Sequence, residues 1–505
     1  MRQQLVISKL VFLITIFPLF ISTCTKGYPT PAKHTQTLIT PSITKELNPL
    51  PSATATHTQE PTSTTPPIQT SYPTPTKKIR QNSQYLISAE FSYDQHRLSV
   101  DEQIIYVNNS SVSLPDLVVI VDSKRYPGAF QLRSLTWKAD QKITGYTWEG
   151  NQFRVQLSQP LDPFESVSLF ISYDLRLPDA NRSSALRPIP FGYTNRQMNL
   201  TNWYPFIPAY RPGEGWLAHP AGYYGEHLVY DIANFEVYLK QLDERQDLVI
   251  AASAPVEVEE DAYHYKHEFA RNFVFSISHK YQVRTQVMGD VTVMSYFFPF
   301  HESAGETVLR TTVEALSLYS NLFGPYSHKT LTAVEADFND GMEYDGLYFL
   351  SNNFYNQHAN RPGEYLVSIA AHETAHQWWY SLVGNDQAIE PWLDEALSTY
   401  SERLFYEFYY PEALSWWWDY RIYYYQPGGW VDQDIYKASN EVNVYRAYRD
   451  AVYLNGALFL EELRHLIGDE SFFAFLRNYA SAYAHKVASA DDFFDTLDQY
   501  LHLLF

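Results

Sequence analysis

The 505-residue chain predicts a multidomain α and β fold, with a β-sandwich-like domain over residues 84–285 and an α-rich domain with a small sheet over 286–505. Three observations predict it. Short apolar runs with two-residue alternation, separated by turn residues, fill the first stretch. Apolar residues at three- and four-residue spacing dominate after about residue 300. A Thr/Pro/Ser-rich segment with few apolar residues separates both from the N-terminus. The composition is 45% hydrophobic and 16% aromatic, enough for a large buried core. Its 41 tyrosines and 11 tryptophans go with a globular, partly β-rich chain. The formal charge of −20 and a pI near 5.2 exclude nucleic acid as a partner, because phosphate binding needs basic surface.

Residues 1–24, MRQQLVISKLVFLITIFPLFISTC, carry a basic n-region with Arg2 and Lys9. The apolar run at 10–21 is too short for a stable bilayer span. It ends in Ile21-Ser22-Thr23-Cys24, which resembles a bacterial lipoprotein signal, with Thr23 where Gly, Ala or Ser is usual. The resemblance implies lipidation of Cys24 and an extracytoplasmic, membrane-anchored protein. An ordinary secretory signal would give a secreted one. Cys24 is the only cysteine, so no intramolecular disulfide can form. Residues 25–83 then read as a disordered tether, stiffened by proline.

The strand signals begin with YLISAEFSYD and HRLSVDEQIIYVN. They continue through LPDLVVIVD, FRVQLSQPL, SVSLFISYDLRL, FEVYLKQ, DLVIAAS and HEFARNFVFSIS. The segment SAGETVLRTTVEALSLYSNLFG reads as an amphipathic helix and LTAVEADF as a strand. GEYLVSIAAHETAHQWWYSLVG reads as one long helix, with PWLDEALSTYSERLFYEFYY and RDAVYLNGALFLEELRHLIG as two more.

The long helix contains His372-Glu373-Thr374-Ala375-His376. Histidines four apart project from one helical face and can share a tetrahedral zinc. Glu373, one position round, can reach water at that metal without binding it. Two histidines alone would read as buried core residues, so a third ligand decides. Glu395, 395 − 376 = 19 positions on, lies in the next predicted helix. Two His and one Glu leave a fourth position open, the catalytic rather than the structural arrangement.

This span resembles the gluzincin aminopeptidases, the family of aminopeptidase N and the leukotriene hydrolase. That family has H-E-x-x-H, eighteen intervening residues and a ligand Glu in a W-L-x-E context; this chain has HETAH and WLDE at that spacing. The resemblance covers most of residues 84–500 and is strongest at 313–470. It implies a thermolysin-like catalytic domain, one Zn²⁺ per chain, and peptide substrates with a free N-terminus. Gly341, Met342 and Glu343 resemble the family's G-x-M-E-N motif, with Asp340 for the first glycine and Tyr344 for the asparagine. The resemblance makes Glu343 the group that binds the substrate's α-ammonium. It assigns Tyr453, 453 − 395 = 58 positions after the ligand Glu, to the oxyanion, with Asn455 for the usual lysine and Gly456 retained; Tyr445 and Tyr448 are alternatives. Gln197 is a further candidate for the α-amine. Many family members carry a C-terminal helical domain, so a chain ending at Phe505 is expected to have a more open cleft.

The expected activity is that of a zinc aminopeptidase, with Glu373 as general base. A zinc endopeptidase on the same site, or a catalytically silent peptide-binding surface lipoprotein, are the rivals.

Overall fold

The computed structural model describes residues 81–137, 141–182, 190–259, 261–437 and 444–501. The expected leader with Cys24, and the tether as far as residue 80, lie outside them. Alternation in the sequence becomes alternation in burial. In Ser83–Ser92 the residues Tyr85, Ile87, Ala89 and Phe91 are buried, because successive side chains of a strand point to opposite faces.

That strand, whose first residue is the last of the expected tether, sits inside a seven-stranded sheet. The spatial order is Val256–Glu259, Ala262–Ala270, Ala233–Gln241, Ser83–Ser92, Arg97–Val107, Ser166–Arg176, Phe130–Thr136. A three-stranded and a four-stranded sheet pack against it. Ile87, Val100 and Ile171 of the large sheet share one core with Leu117 and Phe153, and with Met198 and Ile277. This is the β-sandwich-like N-terminal domain.

The changeover to the second domain lies at residues 279–281, earlier than the expected 285–286. Phe275–Ser278 still belongs to the four-stranded sheet, whereas β1 (Gln282–Met288) and β2 (Val291–Phe297) open a five-stranded one. β3 (Thr330–Ala336), β4 (Gly341–Tyr344) and β5 (Leu347–Ser351) complete it, in the spatial order β1-β2-β3-β5-β4. β1 and β2 are short strands rich in β-branched residues like those before them, so composition does not mark the junction.

Helix α1 (Glu302–Phe323) packs with the sheet and with α2 (Tyr365–Ala375), and α2 packs with α3 (Trp392–Tyr409). Val308, Leu316 and Tyr319 of α1 share a core with Leu331 and Leu350 of the sheet and with Leu397 of α3. α4 (Gly456–Ile467) lies on α3. It is entered from a short helix, Val444–Arg449, through wide i→i+5 turns at Asp450–Asn455. No helix among the described residues is long and apolar enough to cross a membrane.

One expected element is shorter than its sequence pattern. The helix read as running to residue 384 ends at Ala375, with His376 as its C-cap. Tertiary packing overrides the periodicity. Trp378 stacks edge-on against Tyr319, Trp379 lies against Phe323, and Val383–Asn385 pairs in parallel with Lys486–Ala488.

Arg271, 2% exposed, ties the β-domain to this returning segment. Its guanidinium donates to the carbonyls of Tyr230 (3.0 Å), Ser381 (2.9 Å) and Lys486 (2.8 Å), and to that of Tyr380. Charge-assisted bonds to several buried carbonyls cannot be replaced by water. Arg271→Met should therefore cost at least ~3 kcal/mol in a urea unfolding titration. An unfolding midpoint unchanged from the parent would show that these carbonyls find other partners.

Candidate active site

The end of α2 and the first turn of α3 bring three donors together. His376 Nε2 lies 3.1 Å from His372 Nε2, and Glu395 Oε2 lies 3.2 Å from His372 Nε2 and 3.5 Å from His376 Nε2. All three residues are buried. A tetrahedral zinc with bonds of about 2.0–2.1 Å needs its ligand atoms roughly 3.3 Å apart. The three measured edges bracket that value, so the donor set fits the ion in both type and spacing.

The outer nitrogens of both imidazoles are held as well. His372 Nδ1 is 2.9 Å from Glu402 Oε1, and His376 Nδ1 is 2.9 Å from the Trp379 carbonyl. The second contact exists because α2 ends early; in a helix running on to residue 384, that carbonyl would be committed along the axis. Glu402 lies two turns after Glu395 on the same face of α3. It also accepts from Arg421 Nη2 (2.8 Å), Arg421 Nε (3.0 Å) and Trp417 Nε1 (2.9 Å). Burial alone would raise the Glu402 carboxyl, but the Arg421 guanidinium and His372 hold it at about 2. Such carboxylates orient the ring and make a ligand histidine more basic.

Glu373 sits beside the donors and shares no bond with them. Its Oε2 is buried without a hydrogen-bond partner. Burial pushes its carboxyl well up, His372 and His376 oppose, and Glu343 and Glu395 add to the rise. A bound dication would reverse that balance. Gly341 of β4 backs directly onto it: a Cβ there would lie 2.0 Å from Glu373 Oε1. Only glycine lets the strand and the carboxylate approach so closely.

β4 is the edge strand of its sheet and carries Met342 and Glu343, both buried. Glu343 Oε1 accepts from Gln387 Nε2 (3.0 Å), which also donates to Asp394 (2.7 Å). Asp394 in turn accepts the backbone N–H of Glu395 (3.0 Å). Burial pushes the Glu343 carboxyl up to about 7, His376 opposing and Glu226 and Glu395 adding to it. Glu343, Glu373, the three donors and Glu226 all line one cavity of about 500 Å³. A second pocket of about 40 Å³ shares Gly225, Glu226 and Glu343 with it. That is room for a few waters and not for another amino acid.

Of the three candidate tyrosines, Tyr453 reaches the donors. Its hydroxyl donates to Glu395 Oε1, and its ring lies parallel to His372 with centroids 6.1 Å apart. The wide turns of 450–455 carry it there. Tyr448 lines the same cavity behind it, ring to ring with Tyr224 at 4.7 Å, and Tyr445 donates to Asp340 Oδ2 (3.2 Å). Asn455 donates to the Gly429 carbonyl (2.9 Å), and Gly456 lies against Ala396. Gln197 is not at the cavity. It is fully buried and joins Tyr281 (2.6 Å) to the Asp337 backbone N–H across the domain junction. The β-domain's acidic contribution to the cavity is Glu226, in the segment GEHLVYD. Sequence reasoning passed over it, as it did Gln387, Asp394, Glu402 and Arg421. The i, i+7 spacing from Glu395 to Glu402 was the one visible signal among them.

The peptidase family M1 domain profile matches residues 307–503. Aminopeptidase M1-D of Oryza sativa subsp. japonica is 27% identical over 213 residues, 39% of this chain and 24% of that protein. Aminopeptidase B of Homo sapiens is 27% identical over 150 residues, 27% of this chain and 22% of that protein. The chain thus spans about a quarter of the length of these curated relatives. Among solved structures, the M1 zinc metallopeptidase from Deinococcus radiodurans superposes with a TM-score of 0.59 at 17% identity, over 84% of this chain and 92% of that one. A mutant of it bound to a Tyr-Ser-Ala substrate superposes with a TM-score of 0.57 at 17% identity, over 83% of this chain and 91% of that one.

The donor set makes a prediction about metal uptake. Burial alone would lower His372, but its contacts with Glu395 and Glu402 push it up to about 9. Burial alone would lower His376 too, but Glu343 and Glu395 raise it, so a metal must displace protons from both rings and apparent zinc affinity should climb as pH rises from 6 to 8. The slope should be about tenfold per pH unit for each proton displaced. Glu402→Ala should weaken zinc binding by roughly 10–100-fold. Both are read by competition with a chromophoric chelator, and a flat profile between pH 6 and 8 would contradict the first.

Proposed function

We propose that this chain, whose residues 307–503 match the peptidase family M1 domain profile, is a zinc-dependent aminopeptidase of the aminopeptidase N type acting on peptides with a free N-terminus. One observation carries the reading: a zinc-fitting His372–His376–Glu395 triad, an unpartnered buried carboxylate at Glu373 and an edge-strand carboxylate at Glu343 share one cavity. When bound, zinc would polarise the scissile carbonyl and make the attacking water more acidic.

The chain's own groups supply the rest. Glu373 Oε2 takes the proton from the attacking water and returns it to the leaving amine. Tyr453 Oη donates to the oxygen that gains charge. Glu343, with Glu226 beside it, receives the substrate's α-ammonium, a cation whose desolvation is costly without a carboxylate partner. The small pocket that shares those two carboxylates supports a limit on how far a chain can continue past its first residue. A buried carboxyl whose pKa lies near 7 suits this task, because the arriving ammonium draws it into the charged form.

The basic n-region, the apolar run and Cys24 support a membrane tether for this activity outside the cytoplasm, with residues 25–83 as the spacer. Cys24→Ser should release the protein from membranes, read by fractionation and by the mass of the mature N-terminus.

Two variants test the catalytic roles. Glu373→Gln should keep zinc and fold but lose turnover of an aminoacyl reporter amide by at least ~10²-fold. Near-parental turnover would remove Glu373 from the reaction. Glu343→Gln should raise KM for the same amide, at a cost of roughly 1.5–3 kcal/mol for one lost charged hydrogen bond. N-acetylation of the substrate should suppress cleavage in the parent. Internal cleavage of acetylated peptides at the rate of free ones would make the enzyme an endopeptidase.

A further inference from the structure

Gln377 directly follows the second histidine of the triad, yet its side chain serves the strand that carries Glu343. It is 2% exposed. Its Nε2 donates to the Tyr344 carbonyl (3.0 Å), and its Oε1 accepts the Gly346 N–H (3.0 Å). Those two backbone groups flank Asp345 at the tip of the β4–β5 hairpin, whose register pairs Tyr344 with Leu347. One amide, with both its ends used, thus joins the C-terminus of α2 to the hairpin tip.

Asp345 supplies a second tie to the same place. It is fully buried, and its Oδ1 accepts from Ser381 Oγ (2.6 Å) and faces His328 Nε2 (2.5 Å). Its Oδ2 accepts the Arg271 N–H (2.8 Å), and its own N–H donates to Asn272 Oδ1 (3.2 Å). The Ser381 N–H donates to the His376 carbonyl (2.9 Å). Both ties therefore end on His376, one through the chain and one through a hydrogen bond. The turn admits no other course for the backbone: Gly346 has φ +73°, and a Cβ on it would lie 2.3 Å from the Ser253 carbonyl.

β4 has four residues and pairs on one side only. A short edge strand with one neighbour is free to twist unless its tip is held. The position of Glu343 relative to the triad decides which peptide bond meets the metal, and an error of about 1 Å there is enough to misalign the reacting atoms.

We propose that Gln377 and Asp345 are positioning residues that set the distance from the Glu343 carboxylate to the His372–His376–Glu395 triad, and through it the enzyme's preference for a free N-terminus. This rests on Glu343 as the group that receives the α-ammonium. The distance is held by hydrogen bonds from the segment that directly follows the metal-bearing helix.

The test uses the zinc-loaded protein and three variants: Gln377→Met, which keeps length and removes both bonds, Ser381→Ala, which removes one bond to Asp345, and Glu343→Gln. Zinc content is measured for each. KM and kcat are measured on a free-amine aminoacyl amide and on its N-acetyl form. Gln377→Met should retain zinc and lose about 10-fold of its preference for the free amine, through KM more than kcat. Ser381→Ala should shift the same ratio in the same direction by less, and it decides the matter alone should Gln377→Met not fold. A zinc-loaded Gln377→Met with the parental ratio overturns the proposal. So does a variant that loses zinc, or one that slows both substrates equally, because the residue then serves the metal or the fold. A parental ratio in Glu343→Gln marks a different failure, that of the anchor assignment itself.

Discussion

Three donor atoms within 3.5 Å of one another, on three buried side chains, form the constraint that shapes this half of the molecule. Two imidazole nitrogens and a carboxylate oxygen cannot be buried so close together without partners for their remaining polar atoms. The neighbourhood supplies them. Glu402 and the Trp379 carbonyl hold the outer nitrogens, Arg421 offsets the charge of Glu402, and Tyr453 occupies the second oxygen of Glu395. Each partner comes from a different part of the chain, which gives the wide helical turns at Trp417–Ile422 and Asp450–Asn455 a reason for their irregular geometry.

The second constraint is distance. A metal site hydrolyses whatever carbonyl it is offered, so the selectivity of an exopeptidase lies in where the substrate's end is stopped. On the proposed reading that stop is Glu343 on an edge strand, and the β-domain reaches it through Glu226 and through the Arg271–Asn272 pair. The N-terminal sandwich is therefore one wall of the cleft as well as a support for it. Its link to the second domain is both polar and apolar: Arg196 pairs with Asp337, Gln197 bridges to Tyr281 and Asp337, Arg271 caps carbonyls of the segment after α2, and Ala251 and Val274 share a core with Val334, Ala336 and Phe349.

The three clustered donors were legible in the sequence because a helix fixes the geometry of two of them. His372 and His376 are one turn apart, and Glu395 lies on the next helix at a spacing the family resemblance could recognise. The strands of the sandwich were legible for a similar reason, since the two-residue period reports the buried face directly. What escaped is what long-range contact decides. The end of α2 at Ala375 depends on where Trp378 and Trp379 find aromatic neighbours, and no local pattern encodes that. The junction at 279–281 was hidden because strands of like composition lie on both sides of it. Gln197 was weighed and Glu226 passed over because both are polar residues of the β-domain, and only the folded chain shows which is spent at the junction and which reaches the cavity.

The wide turns ahead of α4 have a consequence for descent. An i→i+5 turn holds about one residue more than an α-turn and rotates the residues before it by roughly 100° relative to those after it. The face that α4 turns to the core and the direction in which Tyr453 points are therefore set by separate stretches of chain. Substitutions on α4 can drift under packing pressure while the phenol keeps its bearing on Glu395. Loss of that single residue would swing the phenol out of the cleft and leave the helix intact. The phase of the helix, and not the mere presence of a tyrosine, decides whether the phenol meets Glu395.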